Sequence, residues 1–149
     1  MIAMIDDSAP CPCGRPGPPP GGPALTYAAC CARWHTGPLR LQAPDAEALM
    51  RSRYSAYVLG LADYLLATWH PATRPTTLAP NEPGLKWLGL EVRRHEVQDS
   101  HHASVEFVAR SKWGGRAQRL HETSRFERWS EASDESPRWV YRDGDLQGA

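Results

Sequence analysis

Four cysteines fall in two close pairs, Cys11-Pro12-Cys13 and Cys30-Cys31, with sixteen residues between them. Adjacent or nearly adjacent cysteines bridge each other poorly, and a cytosolic setting disfavours persistent disulfides. Four thiolates meet the tetrahedral preference of zinc, and the proline-rich loop between the pairs closes a ring around the ion. The segment has few apolar residues of its own, chiefly Leu25, Tyr27 and Trp34. Metal binding would then supply much of its folding free energy, on the order of 10 kcal/mol for small structural sites. Cys11, Cys13, Cys30 and Cys31 are therefore the expected ligands of one structural zinc ion. Three alternatives stay open: cross-paired or redox-active thiols, unliganded core cysteines, and His35 in place of Cys31 as the fourth ligand. Four protein ligands leave no open coordination position, so catalysis at the zinc itself is not expected.

A second set of residues could bind a small molecule: Arg51, Arg53, Tyr57, Trp69, His70, Glu106 and Glu122. Arg53 lies three residues after Met50 and four before Tyr57, close to the apolar face of a helical pattern, and a guanidinium there needs acceptors. Glu106 and Glu122, on neighbouring predicted strands, could supply them as a structural network, or the same groups could hold a polar ligand. His70 could pair with Glu106 or Asp63 for proton transfer, but spacing alone sets no contact between them. Trp69, Trp87, Trp139 and Tyr141 fit ordinary core positions as well as a ligand pocket. The chain has no glycine-rich phosphate loop after a strand, no nucleophile elbow and no HExxH motif.

These side chains are carried by two kinds of element. Residues 11–37 read as one small unit, with the loop Gly14–Pro23 followed by a helix-compatible stretch from Ala24 to Trp34 and a stop at Gly37-Pro38. Pro44-Asp45 caps a helix on which Ala46, Leu49, Met50, Tyr54, Tyr57, Val58 and Leu61 recur at three- and four-residue steps. Gly60 separates it from a second helical segment through Trp69, and residues 73–84 read as a loop. Strands are predicted at Leu88–Val97, Ala103–Ser111, Ala117–Trp129 and Trp139–Arg142, with a turn at Gly114-Gly115. Helices first and strands afterwards give an α+β fold over residues 44–144.

Composition bounds the function. The 149 residues carry 17 basic and 17 acidic side chains, 41% hydrophobic and 23% charged residues, the profile of a soluble globular chain. No apolar run is long enough to span a membrane. The first ten residues carry Asp6 and Asp7 and lack a secretory pattern, so a cytoplasmic location is expected. Scattered basic groups at Arg51/Arg53, Arg93/Arg94 and Arg116/Arg119 disfavour nucleic-acid binding.

Cys-Pro-Cys-Gly and the later Tyr27-Ala28-Ala29-Cys30-Cys31 resemble a SEC-C zinc motif. Together with Leu49–Tyr57, Asp63–Leu65, Thr68–His70, Val105–Arg110, Glu122–Phe126 and Trp139–Gly144, they make the chain similar to the bacterial YchJ-like family from Cys11 to Gly144. That resemblance implies an N-terminal zinc module and a cone-shaped domain of the nuclear transport factor 2 superfamily, with helices packed on a strongly curved antiparallel sheet. The departure is an enlarged Gly/Pro insert between the cysteine pairs. The expected function is a zinc-containing binding or adaptor protein with a protein or small-molecule partner. The alternative is a small-molecule-binding protein or enzyme that uses a concave pocket in the α+β domain.

Overall fold

The computed structural model describes residues 5–80, 82–132 and 136–147. Three helices come first, α1 (Ala32–His35), α2 (Ala46–Leu59) and α3 (Ala62–Ala67). Four strands follow, β1 (Leu85–Asp99), β2 (His102–Trp113), β3 (Arg116–Trp129) and β4 (Arg138–Leu146). The predicted loop at 73–84 forms neither helix nor strand, with residue 81 outside the described residues.

Local chemistry sets the helix ends. Asp45 has an extended backbone, and its side chain accepts from the Ala48 N–H at 2.7 Å, satisfying one free donor of the first turn of α2. Gly60 ends the helix at φ 75°, a left-handed conformation that costs glycine little. Its N–H returns to the Ala56 carbonyl, and the chain restarts at once as α3. The second cysteine pair does not lie within a longer helix. It precedes the four-residue α1, because residues 24–26 are drawn into bridges with the first cysteine loop.

The strands form one antiparallel meander in the order β1-β2-β3-β4. Gly114 and Gly115, both at positive φ, make the tight turn between β2 and β3. Ala103, Val105, Phe107 and Ala109 alternate along β2 and are buried beneath the helices. The strand β4 runs on through Asp143-Gly144 to Leu146, past the predicted stop at Arg142.

The expected cone is not formed: the sheet is neither closed nor strongly curled. The strands β1 and β4 are the outer strands, and β4 takes a short parallel bridge from Trp69 at Tyr141. The central β2–β3 ladder pairs without interruption from His102↔Glu127 to Trp113↔Arg116, and the register shifts lie in the β1 and β4 ladders. Sharp bending of a sheet needs bulges, and the middle of this one has none. The helix α2 packs on β1, β2 and β4, while α1 packs on α2 and the end of α3 meets β4 through Arg138 and the Ala67 carbonyl.

One buried cluster runs from Cys11 and Cys13 through Leu49 and Leu65 to Phe107 and Phe126. The cysteine segment and the sheet thus share a core, with α2 between them. Among the described residues no helix is long and apolar enough to cross a membrane. Asp45→Ala is expected to lower stability by about 1 kcal/mol through loss of the α2 cap, read from urea unfolding midpoints.

Candidate functional site

The cysteine loops are folded by their own backbone. Bridges at Pro10↔Thr26 and Pro16↔Ala24 turn the Gly/Pro insert into a two-stranded ribbon, with Cys11 N–H on the Leu25 carbonyl at 2.8 Å. At Gly22 a Cβ would come within 2.8 Å of the Gly17 carbonyl oxygen, so a side chain would strike the facing backbone of the insert. The ribbon places Cys11 and Cys13 against Cys30 and Cys31. All four are buried, and their Sγ atoms lie within 4.8 Å of one another, with Cys13 and Cys30 at 3.6 Å. Four sulfurs at about 2.3 Å from a tetrahedral ion would be about 3.8 Å apart. The spacing suits coordination of a metal ion.

Electrostatics within the group are those of thiols sharing a charge. Cys13, Cys30 and Cys31 point hydrogen bonds at Cys11 and hold its pKa far below the usual thiol range. Donation to Cys11 pushes Cys30 and Cys31 up, while Cys13, donating to Cys11 and receiving from Cys30 and Cys31, is lowered to about 7. A divalent cation would supply the missing positive charge and favour release of the remaining protons.

Side chains of α2 reach into this cluster. The buried Ser55 hydroxyl donates to Cys31 Sγ at 3.3 Å and lies 3.6 Å from Cys11 Sγ. Arg51 bonds the Cys13 carbonyl at 3.1 Å and Glu47 at 2.9 Å, so it holds the cysteine loop to α2 and faces no cavity. His35 is excluded as a ligand by its partners. Its Nε2 lies 2.8 Å from the Ser52 carbonyl, which can only accept, so Nε2 carries the proton. Its Nδ1 then accepts from the Tyr27 hydroxyl at 2.6 Å, leaving no free lone pair for metal. Burial lowers the His35 pKa and keeps the ring neutral in this role.

On the opposite side of α2 is a cavity of about 170 Å³ between the helices and the sheet. Arg53 and Tyr57 from α2, Trp69 after α3, Trp87 from β1, Glu122 from β3 and Tyr141 from β4 supply its polar and aromatic wall. Leu120, also in the wall, is 37% exposed and marks the side reached by solvent. Trp69 is fixed because the chain after α3 zips onto β4, with Tyr141 N–H on the Thr68 carbonyl at 2.7 Å and His70 N–H on the Tyr141 carbonyl at 2.8 Å.

Arg53 dominates the electrostatics. It is only 6% exposed, and Nη1 donates to the Leu65 carbonyl at 2.8 Å and Thr68 Oγ1 at 2.7 Å. Its Cζ lies 5.0 Å from the Trp69 ring centroid and 4.8 Å from that of Tyr141. Both hydrogen-bond acceptors are neutral, and none of the ion pairs among the described residues includes Arg53. Burial accordingly depresses its pKa. Burial raises the phenol pKa values of Tyr57 and Tyr141, which remain neutral hydroxyls. The Glu122 carboxylate accepts from Ser124 Oγ at 2.5 Å and from Tyr141 Oη at 3.4 Å. The indole Nε1 atoms of Trp69 and Trp87 are buried with no hydrogen-bond partner among the described residues.

Of the residues proposed from sequence, Arg53, Tyr57, Trp69 and Glu122 meet at this cavity. The other three do not. Glu106 pairs with His121 at 2.7 Å on the opposite face of the sheet, since its neighbour Phe107 is the one that faces the cavity. His70 pairs with Glu127 at 3.3 Å, away from both Glu106 and the exposed Asp63. Sequence reasoning missed Ser55, Trp87 as a donor, and Gly144. Ser52 and Ser55, small polar residues three apart within an apolar helical pattern, were the available signal for a docked partner. Gly144 sits beneath the Glu122 carboxyl, where a Cβ would collide with it. Gly144→Ala is therefore expected to swing the flexible Glu122 side chain aside at a cost of about 1 kcal/mol, measured by urea unfolding.

Comparison with known proteins agrees with this architecture. The profile of the YchJ middle NTF2-like domain matches residues 45–144. A UPF0225 protein of Bordetella parapertussis is 55% identical, over 93% of this chain and 94% of its own. Another from Methylibium petroleiphilum is 55% identical over 92% and 88%. The crystal structure of a SEC-C motif-containing protein from Psychrobacter arcticus is similar, with TM-score 0.77, 31% identity and coverage of 98% of this chain and 87% of that one. The solution structure of a SEC-C motif-containing protein from Rhodopseudomonas palustris gives TM-score 0.70 at 29% identity, over 94% and 100%. With the profile matched over residues 45–144 and relatives more than half identical along more than nine-tenths of its length, the chain belongs to the UPF0225, YchJ-like family.

Proposed function

We propose that this chain is a zinc-containing binding protein whose ligand is a small molecule held in the cavity under α2. In this reading residues 11–37 form a structural zinc module and residues 44–144 the ligand-binding domain. Four cysteine thiolates are a donor set that zinc favours, and a filled tetrahedral shell holds a fold without offering a site for substrate. The adaptor role inferred from sequence rested on the completeness of that cysteine set. The cavity gives a more specific site.

One observation carries the proposal: a buried guanidinium lines an open cavity with no carboxylate in ion-pair contact. A purely structural arginine is ordinarily neutralised by a buried partner, and an unneutralised one attracts a ligand. The site can bind and orient. The reading requires no reaction.

Elemental analysis of protein purified without added metal is expected to give one zinc per chain, lost in Cys11→Ser and Cys30→Ser. Ser55→Ala should weaken zinc retention by about ten- to a hundredfold in competition with a chromophoric chelator, as loss of an outer-shell donor does. Saturation-transfer NMR with single-ring compounds of varied charge tests the cavity. Some are expected to bind the native chain and none to bind a folded Ala109→Phe variant, which fills the cavity. Failure of every compound to bind the native chain would refute the reading.

A further inference from the structure

The wall of the cavity is specific enough to define its ligand. Four features each exclude a class of molecule. The volume of about 170 Å³ is close to that of a protein cavity known to admit one benzene ring, so the occupant is about one ring with a substituent or two. The flanking rings of Trp69, Trp87 and Tyr141 favour a planar occupant over a branched one.

Arg53 is the donor of the wall. Its hydrogen bonds to Leu65 and Thr68 both use Nη1, the guanidinium also lies against the Tyr57 hydroxyl, and the Nε–Nη2 edge of a guanidinium matches a carboxylate in parallel. The indole N–H groups of Trp69 and Trp87, side chains of the same wall, are buried without a partner and do not reach the open space. A hydrocarbon would leave the guanidinium edge unpaired, which is the costly outcome for a buried donor. A cation would face Arg53. The opposing acceptor is Glu122, held by Ser124 and Tyr141. A dianion such as phosphate would meet one cation and one carboxylate in the same small space, so its second charge would be uncompensated. A hydroxyl or amino group on the ligand would instead satisfy Glu122.

We infer that the cavity takes a small planar aromatic monoanion, a hydroxy- or amino-substituted aromatic carboxylate, with its carboxylate on Arg53 and its donor on Glu122. This rests on the proposal above that the cavity is a ligand site, and it names the chemical class. Arg53 also ties α2 to the end of α3, so the ligand series tests the assignment independently of any Arg53 variant.

The test is titration calorimetry on the full zinc-loaded chain with para-hydroxybenzoate, benzoate, para-hydroxybenzamide, tyramine and inorganic phosphate. Para-hydroxybenzoate is expected to bind most tightly. The neutral amide of the same shape should bind about ten- to a hundredfold more weakly, the range of one charge-assisted contact, with tyramine and phosphate weaker still. Glu122→Gln should narrow the gap between para-hydroxybenzoate and benzoate. Equal or tighter binding of the amide or tyramine would overturn the inference while leaving a small-molecule site in place. Absence of binding by single-ring compounds of every charge would overturn both.

Discussion

The structure depends on one helix being buried from two sides at once. On one side of α2, Ser55 places its hydroxyl among the cysteine sulfurs, and Ser52 offers its carbonyl to His35. On the other, Arg53 and Tyr57 face the sheet across the cavity. A helix with two covered faces cannot show a simple apolar stripe, and α2 does not: serines and an arginine are buried beside leucine and methionine. Each buried polar group must then be satisfied by the element that covers it. That requirement fixes the cysteine loops, α3 and β4 relative to α2.

The two sides are satisfied to different degrees. Toward the cysteines the hydrogen bonds close on themselves, from Tyr27 through His35 to the Ser52 carbonyl, and from the Tyr64 hydroxyl to that of Ser52 at 2.7 Å, which donates to the Leu49 carbonyl. Toward the sheet the pattern is left open. Arg53 has neutral acceptors and aromatic faces in place of a carboxylate, and two indole donors nearby have no partner. Burying a charge without a counterion is costly, and aromatic faces offset only part of it. A closed network on one side and an open one on the other is the physical basis for proposing a structural role for the cysteine side and ligand binding for the cavity.

Much of this was legible in the sequence where a local rule decides. The cysteine spacing, the Asp45 cap, the stop at Gly60 and the turn at Gly114-Gly115 all follow from chemistry within a few residues, and the structure has each of them. What sequence could not fix was how elements face one another. Alternation along β2 shows that Glu106 and Phe107 point opposite ways, but not which of them lies over α2. The expected pairing of Arg53 with Glu106 failed on that choice. Gly144 reads as a turn residue beside Asp143, yet it is a strand position kept small for the Glu122 side chain. Sheet curvature was also hidden, because it depends on where bulges fall in the central ladder, and β2–β3 has none.

The central claim is that a ligand in the cavity completes the Arg53 guanidinium and the Glu122 carboxylate. The chain has six tryptophans, so indole ¹H–¹⁵N resonances report on it individually. The most direct measurement is their titration with para-hydroxybenzoate. The account expects the Trp69 and Trp87 indole resonances to shift as the ligand seats against their rings, while the remaining four stay in place. Unmoved Trp69 and Trp87 resonances in the presence of bound ligand would contradict it.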